Sequence, residues 1–152
     1  MDTTQNRILW WALAVSLVLY MGVAHVVPGP EEPGQGVGAM FPILALVAIA
    51  VGAGTLFYRR RALAGPIQSG TLDLASDAGR QKAFAAFILN LVLSESVGIY
   101  GLVLSLLSGD PLYAVGFGLA GLALLYLHRP GASDLKPPPG MQSRMHDSTP
   151  IA

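Results

Sequence analysis

Residues 82–111, KAFAAFILNLVLSESVGIYGLVLSLLSGDP, decide the fold class. From Ala83 to Leu107 the stretch is nearly all apolar, and about 20 helical residues at 1.5 Å each suffice to cross ~30 Å of hydrocarbon. Halfway along it stands Glu95, the one acidic residue inside any of the long apolar segments. An ionisable side chain at the centre of a membrane helix costs roughly 2.5–3.5 kcal/mol on an insertion scale, so by default it marks an ion pathway or a paired site.

Composition agrees with a membrane setting. The chain has 152 residues, 53% of them hydrophobic and only 12% charged, too greasy and too short for a soluble domain with a large core. It reads as an integral, multi-pass protein of a cell membrane, of the bacterial inner-membrane type, whose first partner is the lipid bilayer. Lys and Arg balance Asp and Glu at nine each, so nothing steers the chain toward a polyanion and no nucleic acid is expected. The absence of cysteine excludes disulfides, thiolate metal sites and cysteine nucleophiles. His25, His128 and His146 lie far apart and form no ligand-spaced set, so neither a metal nor a cofactor is expected. No paired acid and base, nucleophile motif or phosphate-binding glycine loop points to an enzyme.

Four apolar stretches predict an all-α four-helix bundle with spans at 8–27, 40–58, 83–107 and 112–127. The fourth would cover only about 24 Å, and Tyr113, Tyr126 and His128 are expected to anchor it at the interfaces. Arg7, the loop with Arg59, Arg60, Arg61, Arg80 and Lys82, and the tail with Arg129, Lys136 and Arg144 fall on one side of this arrangement. The opposite loops, 28–39 and 108–111, carry only Glu31, Glu32 and Asp110. Excess Lys and Arg stay inside, which puts both termini in the cytoplasm. The membrane domain is expected over 1–128, and the proline-rich polar tail 129–152 is expected to be disordered. The first span, with Trp10, Trp11 and Tyr20 near its ends, reads as a retained anchor. The alternative, a signal peptide cut after Ala24, rests on Arg7, Gly22 and Ala24. Loop 59–82 is expected to hold a short interfacial helix, with Thr71, or else Ser76 and Asp77, as its cap.

Within the third span Asn90, Ser94, Gly98, Gly101, Ser105 and Ser108 recur at spacings of four and three. Such a small and polar stripe is a helix-packing face, because it lets a neighbouring backbone approach and offers hydrogen bonds across the contact. Gly52 and Gly54 in the second span, and the pairs Ala114/Gly118 and Gly116/Ala120 in the fourth, are packing signals of the same kind. Glu95 lies at the edge of the stripe. Low dielectric disfavours the carboxylate, so a buried, neutral Glu95 is expected. It is either a group that binds and releases a proton or a donor to a backbone carbonyl, a serine or Tyr100.

The segment ESVGIYGLVL at 95–104 resembles the second helix of the c subunit of rotary ATP synthases. AVGAGTL at 50–56 resembles a reduced form of that family's glycine-repeat helix, Arg80 and Gln81 its polar loop, and SGDPLY at 108–113 its outer turn. The resemblance covers about residues 40–111, with extra spans before and after. It implies that Glu95 is a reversible proton or sodium carrier, with Ser94, Ser96 and Tyr100 as tuning neighbours, and that the chain works as a homo-oligomer or with other membrane subunits. The chain departs from the family in its short glycine pattern and in a longer loop without Arg-Gln-Pro. The expectation is therefore a structural or accessory membrane subunit with a neutral Glu95, the alternative being a proton-translocating subunit.

Overall fold

The computed structural model describes residues 3–30, 37–72, 74 and 76–130; the expected tail disorder and the middle of loop 28–39 lie outside them. Secondary structure among these residues is entirely helical: α1 (Thr3–Val26), α2 (Val37–Arg59), α3 (Gly65–Gln68), α4 (Asp77–Ser108) and α5 (Leu112–Leu127). By length and composition α1, α4 and the helix that begins at Val37 can each cross a bilayer, while α5 is a shorter apolar helix.

α4 is the hub. It packs against α5, α2 and α1, and 44% of its apolar stretch is inside the bundle, against 17% for α1 and 6% for the helix starting at Val37. Its start is set by Ser76, whose extended backbone (φ −76°, ψ 147°) lets its Oγ accept the Gly79 N–H at 3.1 Å, with Asp77 favourably placed in the positive first turn. Its end is set by Gly109, left-handed at φ 74°, whose N–H reaches Ser105 O at 2.8 Å. Asp110 then accepts the Leu112 N–H at 2.9 Å and opens α5, so that SGDP is a hairpin turn with both helix ends satisfied. The same economy holds one turn further in, where Ser105 Oγ accepts the Ala114 N–H at 2.7 Å across the hairpin.

α1 lies against both arms of this hairpin. Leu17, fully buried, fills the hollow between Gly98 of α4 and Gly121 of α5, and Met21 lies against Gly118. Ala14, Leu17, Phe87, Leu91 and Leu125 form the core, with Trp10, Leu13, Tyr20 and Leu122 around it. At one end the chain after α1 crosses the α4–α5 turn so closely that a Cβ on Gly29 would collide with Gly109 Cα. At the other end Trp10 Nε1 donates to Leu125 O at 2.7 Å. α1 therefore runs antiparallel to α5, and the N-terminus of α1 shares an end with the C-terminus of α5. Arg59 donates to Leu127 O, which brings the C-terminus of α2 to the same end.

Two expectations are corrected here. The segment after Arg59 is not loop: the helix continues through a wider π turn over Arg60–Ala64 into α3, with the Gly65 N–H bonded to Arg60 O. Pro66 supplies the reason, since its ring would strike the carbonyl four residues back in a regular α-helix and it has no N–H to donate. Leu63 of the π turn then packs on Ala83 and Ala86 of α4. Thr71 begins no helix, and Ser76 caps α4 itself. The second correction concerns His128, which is 2% exposed rather than anchored at an interface. His128 follows the last residue of α5 and turns back into the bundle, its Nδ1 2.7 Å from Leu124 O and 3.4 Å from Ser94 Oγ.

Candidate functional site

Glu95 is half-buried on α4, between the face that packs on α1 and the outward residues Val92 and Ile99. Its Oε1 lies 2.5 Å from Ser16 Oγ and 3.0 Å from Tyr20 Oη, two hydroxyls one helical turn apart on α1. The i, i+4 spacing puts both on one face, so α1 closes over the carboxyl. Ser16 Oγ also lies 2.8 Å from Leu13 O, a partner that can only accept. Three oxygen contacts converge here. Ser16 and Tyr20 both donate to Glu95 Oε1, and the Ser16 hydroxyl is shared between that oxygen and Leu13 O.

The neighbours in sequence do something else. Ser94 Oγ donates to Asn90 O at 2.7 Å and Ser96 Oγ to Leu93 O at 2.7 Å, both back along the helix, and Tyr100 makes no hydrogen bond to Glu95. Ser94 instead belongs to a buried polar group with Asn90 and His128. His128 Nδ1 lies 2.7 Å from Leu124 O and 3.4 Å from Ser94 Oγ; since the carbonyl has no proton and Ser94 has committed its own, Nδ1 carries the hydrogen. Asn90 Nδ2 donates to Ala86 O at 2.9 Å, while its Oδ1 is buried without a hydrogen-bond partner.

The stripe of small and polar residues separates into positions with different neighbours. Asn90, Ser94, Gly98, Gly101 and Ser105 are buried. A Cβ at Gly101 would stand 2.5 Å from Phe117 Cβ and 2.7 Å from Tyr113 O, and one at Gly98 would collide with Leu17 Cδ2. Gly118 meets Met21, and Gly52 is in ordinary contact with Leu124 at 3.6 Å. Gly54 and Gly116, which the same motif logic marks for packing, face open space because α2 and α5 turn these positions outward. Sequence reasoning passed over Gly121, whose added Cβ would lie 3.1 Å from Ser94 O, and over Ser16 and Tyr20. A serine and a tyrosine four apart in an apolar helix were the available signal for the last two.

No cluster of three metal-ligating His, Asp or Glu side chains occurs among the described residues. No protein-family model, curated protein or solved structure matches the chain.

Proposed function

We propose that this small multi-pass membrane protein is a structural or accessory membrane subunit, not an enzyme, in which Glu95 is a neutral tie between helices. The observation that carries the reading is the closure of Ser16 and Tyr20 over Glu95 Oε1, which gives the carboxyl two partners from within its own chain. A group engaged in this way raises the specificity of the α1–α4 contact, since interhelical hydrogen bonds in membranes average about 0.6 kcal/mol and select one docking geometry over its near neighbours. α5 completes the fourth crossing, and both termini are cytoplasmic, as the one-sided Lys and Arg require.

A proton-carrying role is the second reading. It is favoured by the position of Glu95 at the rim of the bundle, next to Val92 and Ile99, which are 49% and 39% exposed on the lipid-facing side. The resemblance of 95–104 to the c subunit of rotary ATP synthases implies the same role.

Glu95→Gln separates the two. The amide keeps the shape and can satisfy Ser16 and Tyr20, yet it cannot exchange a proton. In the structural role the variant keeps wild-type thermal stability in detergent and wild-type function of the assembly it belongs to. Normal folding combined with loss of proton flux in reconstituted vesicles would overturn the structural reading in favour of the second.

A further inference from the structure

α2 packs on α4 but stands away from α5, and the gap between them is a groove of about 600 Å³. Its walls are apolar throughout, with Phe41, Ala48 and Ile49 on α2, Val97 on the floor, and Phe117 and Ala123 on α5. Small side chains keep it open, because Ala45, Ala48, Gly116, Ala120 and Ala123 leave unfilled the volume that leucines would occupy. The volume is in the ~300–1,000 Å³ range of ligand clefts, and an apolar lining suits a hydrocarbon chain. One end of the groove is closed over by ring contacts of Phe41 with Tyr113 and Phe117, at centroid distances of 5.4 and 6.3 Å. The other end is charged. Leu127, which lines the groove, offers its carbonyl to Arg59, and Arg60 and Arg61 follow at once on the π turn, both exposed and with no side-chain ion pair or hydrogen bond among the described residues.

We propose that this groove holds one acyl chain of an anionic membrane phospholipid, whose phosphate is bound by Arg60 and Arg61. A neutral lipid would satisfy the groove but leave the two guanidinium groups to water. An anionic one satisfies both, because arginine presents a planar fork of donors matched to phosphate oxygens and each basic residue near an anionic surface adds about a fivefold preference. Arg60 and Arg61 open the π turn directly after Arg59, whose guanidinium reaches Leu127 O at the end of α5. The site is independent of Glu95 and of its protonation.

The test uses the full chain in nanodiscs with spin-labelled phosphatidylglycerol or phosphatidylcholine as probes. The expected result is a motionally restricted lipid component that favours phosphatidylglycerol. Arg60→Gln/Arg61→Gln keeps the restricted component and loses most of the preference, a drop of roughly tenfold or more. Ala123→Trp, which fills the groove, removes the restricted component for both probes, while circular dichroism confirms that each variant is folded. Equal restriction of the two probes in the wild type, or a preference unchanged in the double variant, would overturn the proposal. Dimers of Ala123→Cys that cross-link and exclude labelled lipid would overturn it too, by making a second copy the occupant.

Discussion

A methyl group placed on Gly101 meets backbone and Cβ atoms of α5, at 2.7 Å from Tyr113 O and 2.5 Å from Phe117 Cβ, whereas one placed on Gly98 collides with the end of the Leu17 side chain and is only in ordinary contact with backbone, at 3.9 Å from Gly118 Cα. The two contacts differ in how far they can yield. Alanine gains about 0.5–1 kcal/mol over glycine in a helix, but forcing apart a packed contact costs about 1–3 kcal/mol. Gly101→Ala should therefore lower the melting temperature in detergent, Gly98→Ala should change it less because Leu17 can change rotamer, and Gly54→Ala should hold it level or raise it. Equal effects at positions 54 and 101 would refute the packing role. The tie at Glu95 is open to a similar test. In a double-mutant cycle, Tyr20→Phe and Glu95→Ala should be non-additive by about 0.5–1.5 kcal/mol, in the range of measured interhelical bonds, and strict additivity would show that the 3.0 Å contact contributes nothing. The stripe from Asn90 to Ser105 was legible in the sequence because small residues at spacings of three and four line up on one helix face, and such a face is of use only where another helix comes close. The partners of Glu95 were much less so, because the apolar surface of α1 looks alike toward lipid and toward protein, and the i, i+4 spacing of Ser16 and Tyr20 is the one mark of an inward face.

The terminus of α5 gathers side chains from two other helices. Its final carbonyls are at the negative end of the helix and lie within the bundle, where unpaired acceptors are costly. Trp10 of α1 takes Leu125 O, Arg59 at the end of α2 takes Leu127 O, and His128 turns back on Leu124 O. A short α5 is thereby stabilised in place of the extra turn that it lacks. Trp10→Phe removes the indole N–H while keeping an aromatic ring, and it should cost about 0.5–1.5 kcal/mol, the net worth of one hydrogen bond, because Leu125 O still accepts the His128 N–H at 3.1 Å. The matching control is Trp11→Phe, on the exposed side of α1, which should cost less than half as much; thermal unfolding of the two in the same detergent compares them. The existence of α4 and α5 and the turn between them could be read from their apolar runs and SGDP, but the apolar run predicts the start of α4 at 83, with Ser76 only the second candidate cap of a separate short helix that the structure merges into α4. The extension of α2 could not, since three arginines followed by Gly65 and Pro66 read as a helix stop unless the chain widens into a π turn, which no local pattern announces.

At the scale of the whole molecule, helix direction and charge agree. The start of α1, the end of α2, the start of α4 and the end of α5 meet at one end of the bundle, and Arg7, Arg59, Arg60, Arg61, Arg80, Lys82 and Arg129 all lie on the segments gathered there. The other end carries Asp110 beside Gly29 and no Lys or Arg among the described residues. An asymmetry of this size predicts the orientation, because basic flanks resist translocation while acidic ones contribute little. The absence of native cysteine makes the consequence directly measurable. Ser69→Cys, exposed after α3, should be shielded from a membrane-impermeant maleimide in intact cells and labelled only after the membrane is permeabilised. Asp110→Cys, exposed in the α4–α5 turn, should label in intact cells. α5 adds a sharper constraint. With only sixteen residues it covers about 24 Å, so a crossing is complete only if the bilayer thins beside it or polar groups reach in to meet its end. Trp10, Arg59 and His128 are such groups, bonded to Leu125 O, Leu127 O and Leu124 O. A cysteine introduced at exposed Arg129 should accordingly be protected in intact cells, like Ser69→Cys and unlike Asp110→Cys. Labelling of Arg129→Cys from outside would mean that α5 re-enters without crossing and that the chain spans three times.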